Sequence, residues 1–502
     1  NNDSTNYNVA VGFGAGEAIT TGVQNVLLGG RTGDALTDAD FNTALGDQAL
    51  TTDTKGSRTV AIGYGALSTQ NFTSATNSNN TAVGYASGAS TTTGVNNSFF
   101  GNQSGNANTT GNSNISVGYN ALKDNTTGSN NIAIGEEALK NYNHTDGTNA
   151  YNVAIGTEAG HDITTGIQNT LIGGLAGDAL TDADFNVAVG QQALTSETLG
   201  SRSTAIGRGA LASQNFTSAT DANNTAVGFG AGAVVTDGCL NGTFIGYQSG
   251  LNTTGNKNQF FGASAGSEVT SGGQNVILGR YNGNQGSLDI RTASNNIVLS
   301  DGDGVPRVMV NSSGYFHASA NVADSEFFNA THTHSISTSN TQPALFVENS
   351  GDGNVYGMVI DFTDAAPDNN TSYFFQCQDS STIRMKVWGD GDVQNHDNSY
   401  GATSDVKLKE QITDASSQWD DLKALKVRKF KMKEDVAKGD SDAHWRLGVV
   451  AQEVETAGMN GLVKNNPDMI TNEDGDLVEG ETITKSVKYS ILYMKAVKAL
   501  QE

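Results

Sequence analysis

Over the first 300 residues, polar and apolar positions alternate within very short stretches, and the same stretch returns at fixed distances. The unit is close to Asn-x-Ala-x-Gly. In Asn152-Val153-Ala154-Ile155-Gly156, Val153 and Ile155 face one side of a short strand, and Asn152 and Ala154 face the other. Four near-copies of a longer block carry this unit at residues 8–12, 80–84, 152–156 and 224–228, and a fifth copy at 296–300 lacks the glycine. Within a block the closing glycine returns after about 17, 17, 17 and 21 residues, which predicts a β-solenoid.

The residues around each strand are suited to the corners of a coil. A glycine- and alanine-rich segment and a polar turn such as Thr20-Thr21-Gly22 follow each unit, and glycine supplies backbone conformations with positive φ at low cost. The repeated Asn is expected to form hydrogen bonds with its copies in the coils above and below. Seventeen coils at one strand spacing of ~4.8 Å predict a rod of roughly 80 Å.

Composition supports an elongated β structure and excludes some functions. Glycine occurs 61 times, and all four prolines lie beyond residue 300, as expected for an uninterrupted β ladder. The net charge is −24 and is concentrated in residues 1–403, which argues against nucleic-acid binding. No apolar run is long enough to span a membrane, and Cys239 and Cys377 fit neither a disulfide framework nor a zinc site, so both are expected to be buried thiols. The chain begins at Asn1 without a leader, so we expect the natural N-terminus to lie upstream.

The regular period stops near Ser300, and residues 301–403 predict a small β domain. Strands are expected at 305–310, 343–347, 356–362, 373–377 and 383–388, separated by turns. Its aromatic residues and polar loops suit contact with a glycan, although the same aromatics could simply form the core of a spacer domain.

Two histidines in this region, His332 and His334, form a His-x-His pair. On a strand both imidazoles would face one side, and three parallel chains would bring six imidazoles to a common axis. Such an octahedral nitrogen site suits Fe, Ni or Zn. The alternative is that both histidines are exposed to solvent, and no other cofactor is indicated.

Beyond residue 403, lysines become frequent and helical patterns begin. Three stretches resemble motifs of the peptidase S74 family, the intramolecular chaperones of phage tailspikes and tail fibres. They are residues 404–410, residues 448–455 with a Gly-x-x-Ala-Gln-Glu-Val signature, and the closing helix at 487–502. The resemblance implies that this segment assembles the chain and then cleaves itself off by single-turnover autoproteolysis, without turnover of other substrates.

By this resemblance, Ser404 is the nucleophile and Lys409 its general base. A serine hydroxyl requires a base within hydrogen-bond reach, and a lysine can act as that base only as the free amine. Lys407 is the nearest competitor. In the alternative reading, Ser404 caps a helix and Lys409 is a solvated lysine. Both the 403–404 and the 404–405 peptide bonds remain candidates for cleavage.

The repeats in residues 8–300 resemble the head repeats of trimeric autotransporter adhesins and similar repeats in bacteriophage tail fibres, which implies a parallel homotrimer. Apolar residues in the closing helix form one stripe at Tyr489, Leu492, Ala496 and Ala499 and a neighbouring stripe at 487, 491, 494 and 497. These stripes fit either a coiled coil at a three-fold axis or a helix packed on its own domain.

The sequence therefore predicts a mainly β protein in three parts. A trimeric β-roll or β-solenoid shaft of 17- and 21-residue coils spans residues 1–300, a β-rich tip or spacer domain spans 301–403, and an α+β chaperone domain spans 404–502, ending in a helix that forms a coiled coil. The predicted function is that of a phage tail fibre or receptor-binding protein. A trimeric bacterial surface adhesin and a polysaccharide-degrading tailspike are the alternatives.

The expected partners are two further copies of the chain, a host glycan or protein receptor and other virion tail proteins, without nucleic acid or membrane insertion. Assembly is expected in the host cytoplasm, followed by extracellular release on the virion.

Overall fold

The computed structural model describes residues 6–286, 288–314, 316–319, 335–337, 372–378, 382–389, 392–395, 409–433, 436, 445–471 and 477–502. The chain divides into two compact units, residues 1–357 and residues 358–502, and each is described by itself. The predicted boundaries near 300 and 403 stay predictions.

A β-solenoid of seventeen coils fills most of the first unit. Each coil contributes one short strand that pairs in parallel with the strand of the next coil, in register, as Val153 pairs with Thr170 and Ala154 with Leu171. The predicted mainly β solenoid with 17- and 21-residue coils is confirmed. These ladder strands are Val9–Val11, Val26–Leu28, Thr43–Leu45, Val60–Ile62, Thr81–Val83, Ser98–Phe100, Ile115–Val117, Ile132–Ile134, Val153–Ile155, Thr170–Ile172, Val187–Val189, Thr204–Ile206, Thr225–Val227, Thr243–Ile245, Gln259–Phe261, Val276–Leu278 and Ile297–Ser300.

Buried asparagines tie each coil to the next. The Asn169 Nδ2 donates to the Ala183 carbonyl at 2.8 Å, and the Asn169 Oδ1 accepts the backbone N–H of Asn186 at 3.0 Å. Asn25 and Asn97 make the same pair of bonds. The predicted ladder is confirmed, with the difference that each side chain bonds mainly to the backbone of its neighbours, because the backbone groups at coil corners lack ladder partners.

The interior of the solenoid is filled by large and small residues that compensate for one another. The middle residue of every ladder strand after the first is buried, and glycines lie opposite large middle residues such as Leu171 and Phe244. A Cβ added to Gly105 would come within 2.6 Å of the Phe99 ring. At Ala44, where the middle residue is small, Leu50 occupies the position that Gly105 holds relative to Phe99, and both Ala44 and Leu50 are fully buried. This exchange keeps the thin interior close-packed.

The sequence led us to expect glycine at positions with positive φ, but many other residues adopt this conformation. Gln24, Leu50 and Arg58 have φ of 58°, 54° and 61°. Hydrogen bonds to adjacent coils hold them there: the Leu50 N–H donates to the Ala66 carbonyl at 3.0 Å, and the Arg58 N–H to the Asp40 carbonyl at 2.9 Å. The bonds between coils offset the roughly 1–2 kcal/mol that the left-handed conformation costs an L-residue.

The longer coils contain additional strands and a buried polar network. Gly56–Ser57 pairs in parallel with Thr76–Asn77, and Gly200–Ser201 pairs in the same way with Thr220–Asp221. Asp53 lies inside the first of these coils, where it accepts a hydrogen bond from the Gln70 Nε2 at 2.6 Å. Burial raises the pKa of Asp53. A short antiparallel pair, Asn284–Gln285 with Leu288–Asp289, lies before the last coil.

The parallel ladder ends in antiparallel strands. Pro306–Val310 pairs antiparallel with Ile297–Ser300, and Phe316–Ser319 pairs antiparallel with Pro306–Val310 and parallel with Ser335–Ser337. The turn between the first two is held by Asp301, whose Oδ1 accepts the N–H of Val305 at 2.9 Å while its Oδ2 pairs with Arg307 at 2.6 Å. The Asp301 side chain therefore has a structural role in this turn.

The second unit contains a three-stranded antiparallel sheet of Tyr373–Gln378, Ile383–Trp388 and Val393–Asn395. The first two of these strands were predicted, whereas the strands predicted at 343–347 and 356–362 lie outside the described residues.

The C-terminal module, residues 409–502, follows in the same unit. It has three described helices, α1 (Trp419–Ala424), α2 (Ala451–Thr456) and α3 (Tyr489–Leu500), and a 3-10 turn at Asn460–Leu462. The strand Val427–Phe430 pairs antiparallel with Arg446–Val449, and Val463–Thr471 pairs antiparallel with Leu477–Val487. Within the described part of the chain, no helix is long and apolar enough to cross a bilayer.

Candidate functional site: the C-terminal module and the ladder face

The Gly-x-x-Ala-Gln-Glu-Val signature forms the junction between a strand and α2. Gly448 is buried at the end of its strand, and a Cβ there would lie 2.8 Å from the Tyr489 hydroxyl oxygen. Ala451 and Val454 on α2 point into the module. The residues of the signature therefore pack the end of this strand and α2 against the first turn of α3.

A bidentate ion pair fixes α2 to the neighbouring strand. The Arg428 Nε donates to the Glu453 Oε2 at 3.0 Å, and the Nη2 donates to the Oε1 at 2.6 Å. The Arg428 guanidinium lowers the pKa of Glu453, and Glu453 in turn raises the pKa of Arg428. The glutamate of the signature therefore has a structural role.

The core of the module is small and includes one face of α3. Val454, Met459, Leu462 and Leu492 are buried together, and Leu422 and Val487 pack against them. The Lys495 Nζ pairs with Asp421 on α1 at 2.6 Å. Leu492 and Ala499 of the first predicted stripe are thus buried within the module, as expected for a helix packed on its own domain.

The opposite face of α3 is apolar and uncovered. Tyr493, Met494, Val497 and Leu500 are exposed, with 83% of Leu500 accessible to solvent. Leu500 and Trp419 line a cleft of about 540 Å³ beside this face. The neighbouring stripe, which includes Met494 and Val497, is the face that a coiled coil would use, and the coiled coil stays a prediction.

The structure does not test the predicted dyad. Ser404 lies outside the described residues, so its distance from Lys409 is not defined. Lys409 lies in an exposed segment without regular secondary structure.

The predicted metal ligands His332 and His334 also lie outside the described residues. Among the residues that the structure describes, no group of three or more His, Cys, Asp or Glu side chains could hold a metal ion.

Both cysteines are free. Cys239 is buried as expected, and burial raises its pKa to about 12, but Cys377 is only partly buried, which corrects the prediction for this residue.

The ladder presents a second uncovered face, the ladder face, formed by the outward side chains of the ladder strands. The third residue of every ladder strand is apolar, and the first is either apolar or Thr, Ser or Gln. The first and third residues of each strand point outward, and Leu45, Ile155 and Leu278 are among those exposed to solvent. Aromatic residues flank this face, including the stacked pair Tyr64 and Tyr85, whose ring centroids are 5.5 Å apart. The face extends along the whole ladder, and exposed apolar patches of such extent mark interaction sites.

Comparison with known proteins identifies one segment. Residues 404–464 match the Peptidase S74 family model, described as the chaperone of endosialidase. This S74 segment covers the first predicted motif and the Gly-x-x-Ala-Gln-Glu-Val signature, but not the closing helix. No curated protein and no solved structure matches the chain. An S74 segment that follows a long β-solenoid fits a protein of the tail-fibre type.

Two contacts within the C-terminal module could not be predicted from the sequence. Arg428 and Glu453 lie 25 residues apart and meet only because a strand pair brings them together. The Tyr489 hydroxyl accepts the Val449 N–H at 3.3 Å, across an even longer sequence separation. Neither contact follows from a spacing motif.

Proposed function

We propose that the chain is a bacteriophage tail fibre or receptor-binding protein. In this proposal its C-terminal segment brings three chains together and then cleaves itself off next to Ser404. The observation that carries the proposal is the S74 segment that follows a seventeen-coil solenoid later in the same chain. A fibre needs a long, stiff body, and a repetitive body needs a device that sets the register of its chains.

The need for such a device follows from the repeats. Chains that meet along the ladder face would present nearly the same surface at every coil, so a slip by one coil would cost little. A module that first joins the C-terminal ends removes this ambiguity. The uncovered faces of α3 and of the ladder support association at both places, because each exposes apolar side chains that water would otherwise surround.

Cleavage would then make assembly irreversible. Once Ser404, activated by Lys409, breaks the neighbouring peptide bond, the module leaves and the fibre is kinetically trapped. Each chain would act once. The fibre would bind a host glycan or protein receptor and would join other virion tail proteins. It would be assembled in the host cytoplasm and act outside the cell.

The test is to express the wild type, Ser404→Ala and Lys409→Ala and to measure fragment masses. The wild type should give a shaft fragment of roughly 42 kDa from the 52.1 kDa chain, and both variants should stay intact. Ser417→Ala and Lys407→Ala are the matched controls and should be cleaved normally. Normal cleavage of Ser404→Ala or Lys409→Ala would reject the dyad, and mass spectrometry of the new ends identifies the bond that breaks.

A further inference from the structure

A lysine lies between two aromatic rings on the three-stranded sheet of the second unit. The Lys386 Nζ is 4.5 Å from the ring centroid of Tyr373 and 4.2 Å from that of Trp388. Tyr373 and Trp388 are directly opposite each other on adjacent strands, and Lys386 precedes Trp388 by two residues on the same face. The sheet therefore presents two aromatic rings with an ammonium group between them.

The polar groups of this face are not fully satisfied. Lys386 is only 8% exposed, yet within the described part of the chain its ammonium contacts the two rings and has no carboxylate or hydrogen-bond acceptor as a partner. Gln376 is the cross-strand neighbour of Lys386, and its buried Oε1 has no hydrogen-bond partner. Gln394 flanks Lys386 on the other side.

A buried lysine ammonium group rarely lacks an anionic partner. The two rings stabilise the charge of the ammonium, but they leave its three N–H donors unpaired. An anionic group from outside would satisfy these donors, and a hydroxyl group beside it could donate to the Gln376 oxygen. The ring faces would pack against the apolar face of a sugar.

We propose that Tyr373, Gln376, Lys386, Trp388 and Gln394 form a binding site for a saccharide that carries an anionic group, a carboxylate or a phosphate. The inference rests on the receptor-binding part of the proposed function and not on self-cleavage. All five residues precede Ser404 in sequence, so the site stays with the fibre after the predicted cut. It would lie in the last described sheet before the new C-terminus.

The experiment measures retention of the purified protein on immobilised glycans in three arms: neutral, carboxylated and phosphorylated. The wild type should bind at least one anionic arm more strongly than its neutral counterpart, and binding should weaken as NaCl is raised. Lys386→Met should lower this affinity at least about tenfold. Lys386→Arg should keep most of it. The matched control is Arg208→Met, which removes a cation that lies 5.5 Å from the Phe229 ring in the shaft, stays with the fibre after the predicted cut and should leave binding unchanged.

Three results would overturn the site: equal retention on neutral and anionic glycans, an unchanged affinity of Lys386→Met, or no retention on any arm. If circular dichroism shows that Lys386→Met does not fold, the salt dependence of wild-type binding and the affinity of Lys386→Arg still test the site. Adsorption to host cells in the absence of anionic glycan binding would reject this site and leave the proposed receptor-binding function standing.

Discussion

Arg428 holds Glu453 through two hydrogen bonds, at 3.0 Å and 2.6 Å, and so joins a strand to the helix that carries the S74 signature. Because Arg428 lowers the pKa of Glu453, the pair stabilises the module at pH values above the ordinary glutamate pKa. This stabilisation is lost as the pH falls through the lowered pKa of Glu453.

Glu453→Gln should therefore lower the melting temperature of the C-terminal module at pH 7. The effect should be small because both side chains are partly exposed to solvent. The wild type and the variant should converge as the pH falls and Glu453 becomes protonated. Thermal unfolding of the uncleaved Ser404→Ala chain with and without Glu453→Gln, followed by Trp fluorescence at several pH values, provides the measurement. A difference that grows on acidification would contradict the role of this pair.

Asn169→Ala should destabilise the shaft strongly. It leaves the Ala183 carbonyl and the Asn186 N–H without their partners inside the solenoid, at roughly 1–3 kcal/mol for each unsatisfied group. Asn102→Ala is the control, because Asn102 is exposed. The measurement compares the rates at which the two variants unfold in denaturant. Equal rates would mean that the asparagine ladder contributes little to the stability of the solenoid.

Phe99→Ala should leave a cavity in the solenoid and destabilise it by about 3–5 kcal/mol. Gly105→Leu alone should also destabilise it, because the new side chain would meet the Phe99 ring. Together the two changes reproduce the pairing of Ala44 with Leu50. The double variant should therefore be more stable than the two separate effects predict. Additive effects would show that the exchange between large and small residues does not govern packing.

Ile155→Glu should weaken association of the chains, because it would place an unpaired charge on the proposed contact face. Val234→Glu is the matched control, since Val234 is also exposed but does not belong to a ladder strand. Sedimentation velocity should show that Ile155→Glu dissociates and that Val234→Glu does not. Identical behaviour of both variants would exclude the ladder face as the contact.

The sequence predicted the repeating elements well, because a period needs only local information. The Asn-x-Ala-x-Gly unit located the ladder strands, and the predicted strand at residues 383–388 has the bounds that the structure shows. The asparagine ladder also followed from the repeat, because residues at equal positions in stacked coils must lie above one another.

Contacts that depend on register or on distant pairing could not be predicted. Lys386 lies between Tyr373 and Trp388 only because an irregular register places these two rings opposite each other. The positive φ of Leu50 depends on a hydrogen bond to the next coil, which a local propensity cannot reveal. The exchange between Phe99 and Gly105 requires knowledge of which positions face each other across the interior.

The central claim is that three chains associate along the ladder face under the control of the C-terminal module. Sedimentation equilibrium of uncleaved Ser404→Ala tests it most directly. The account predicts a single species of three times the 52.1 kDa chain mass. A well-folded species of one chain mass, without association at micromolar concentration, would contradict it.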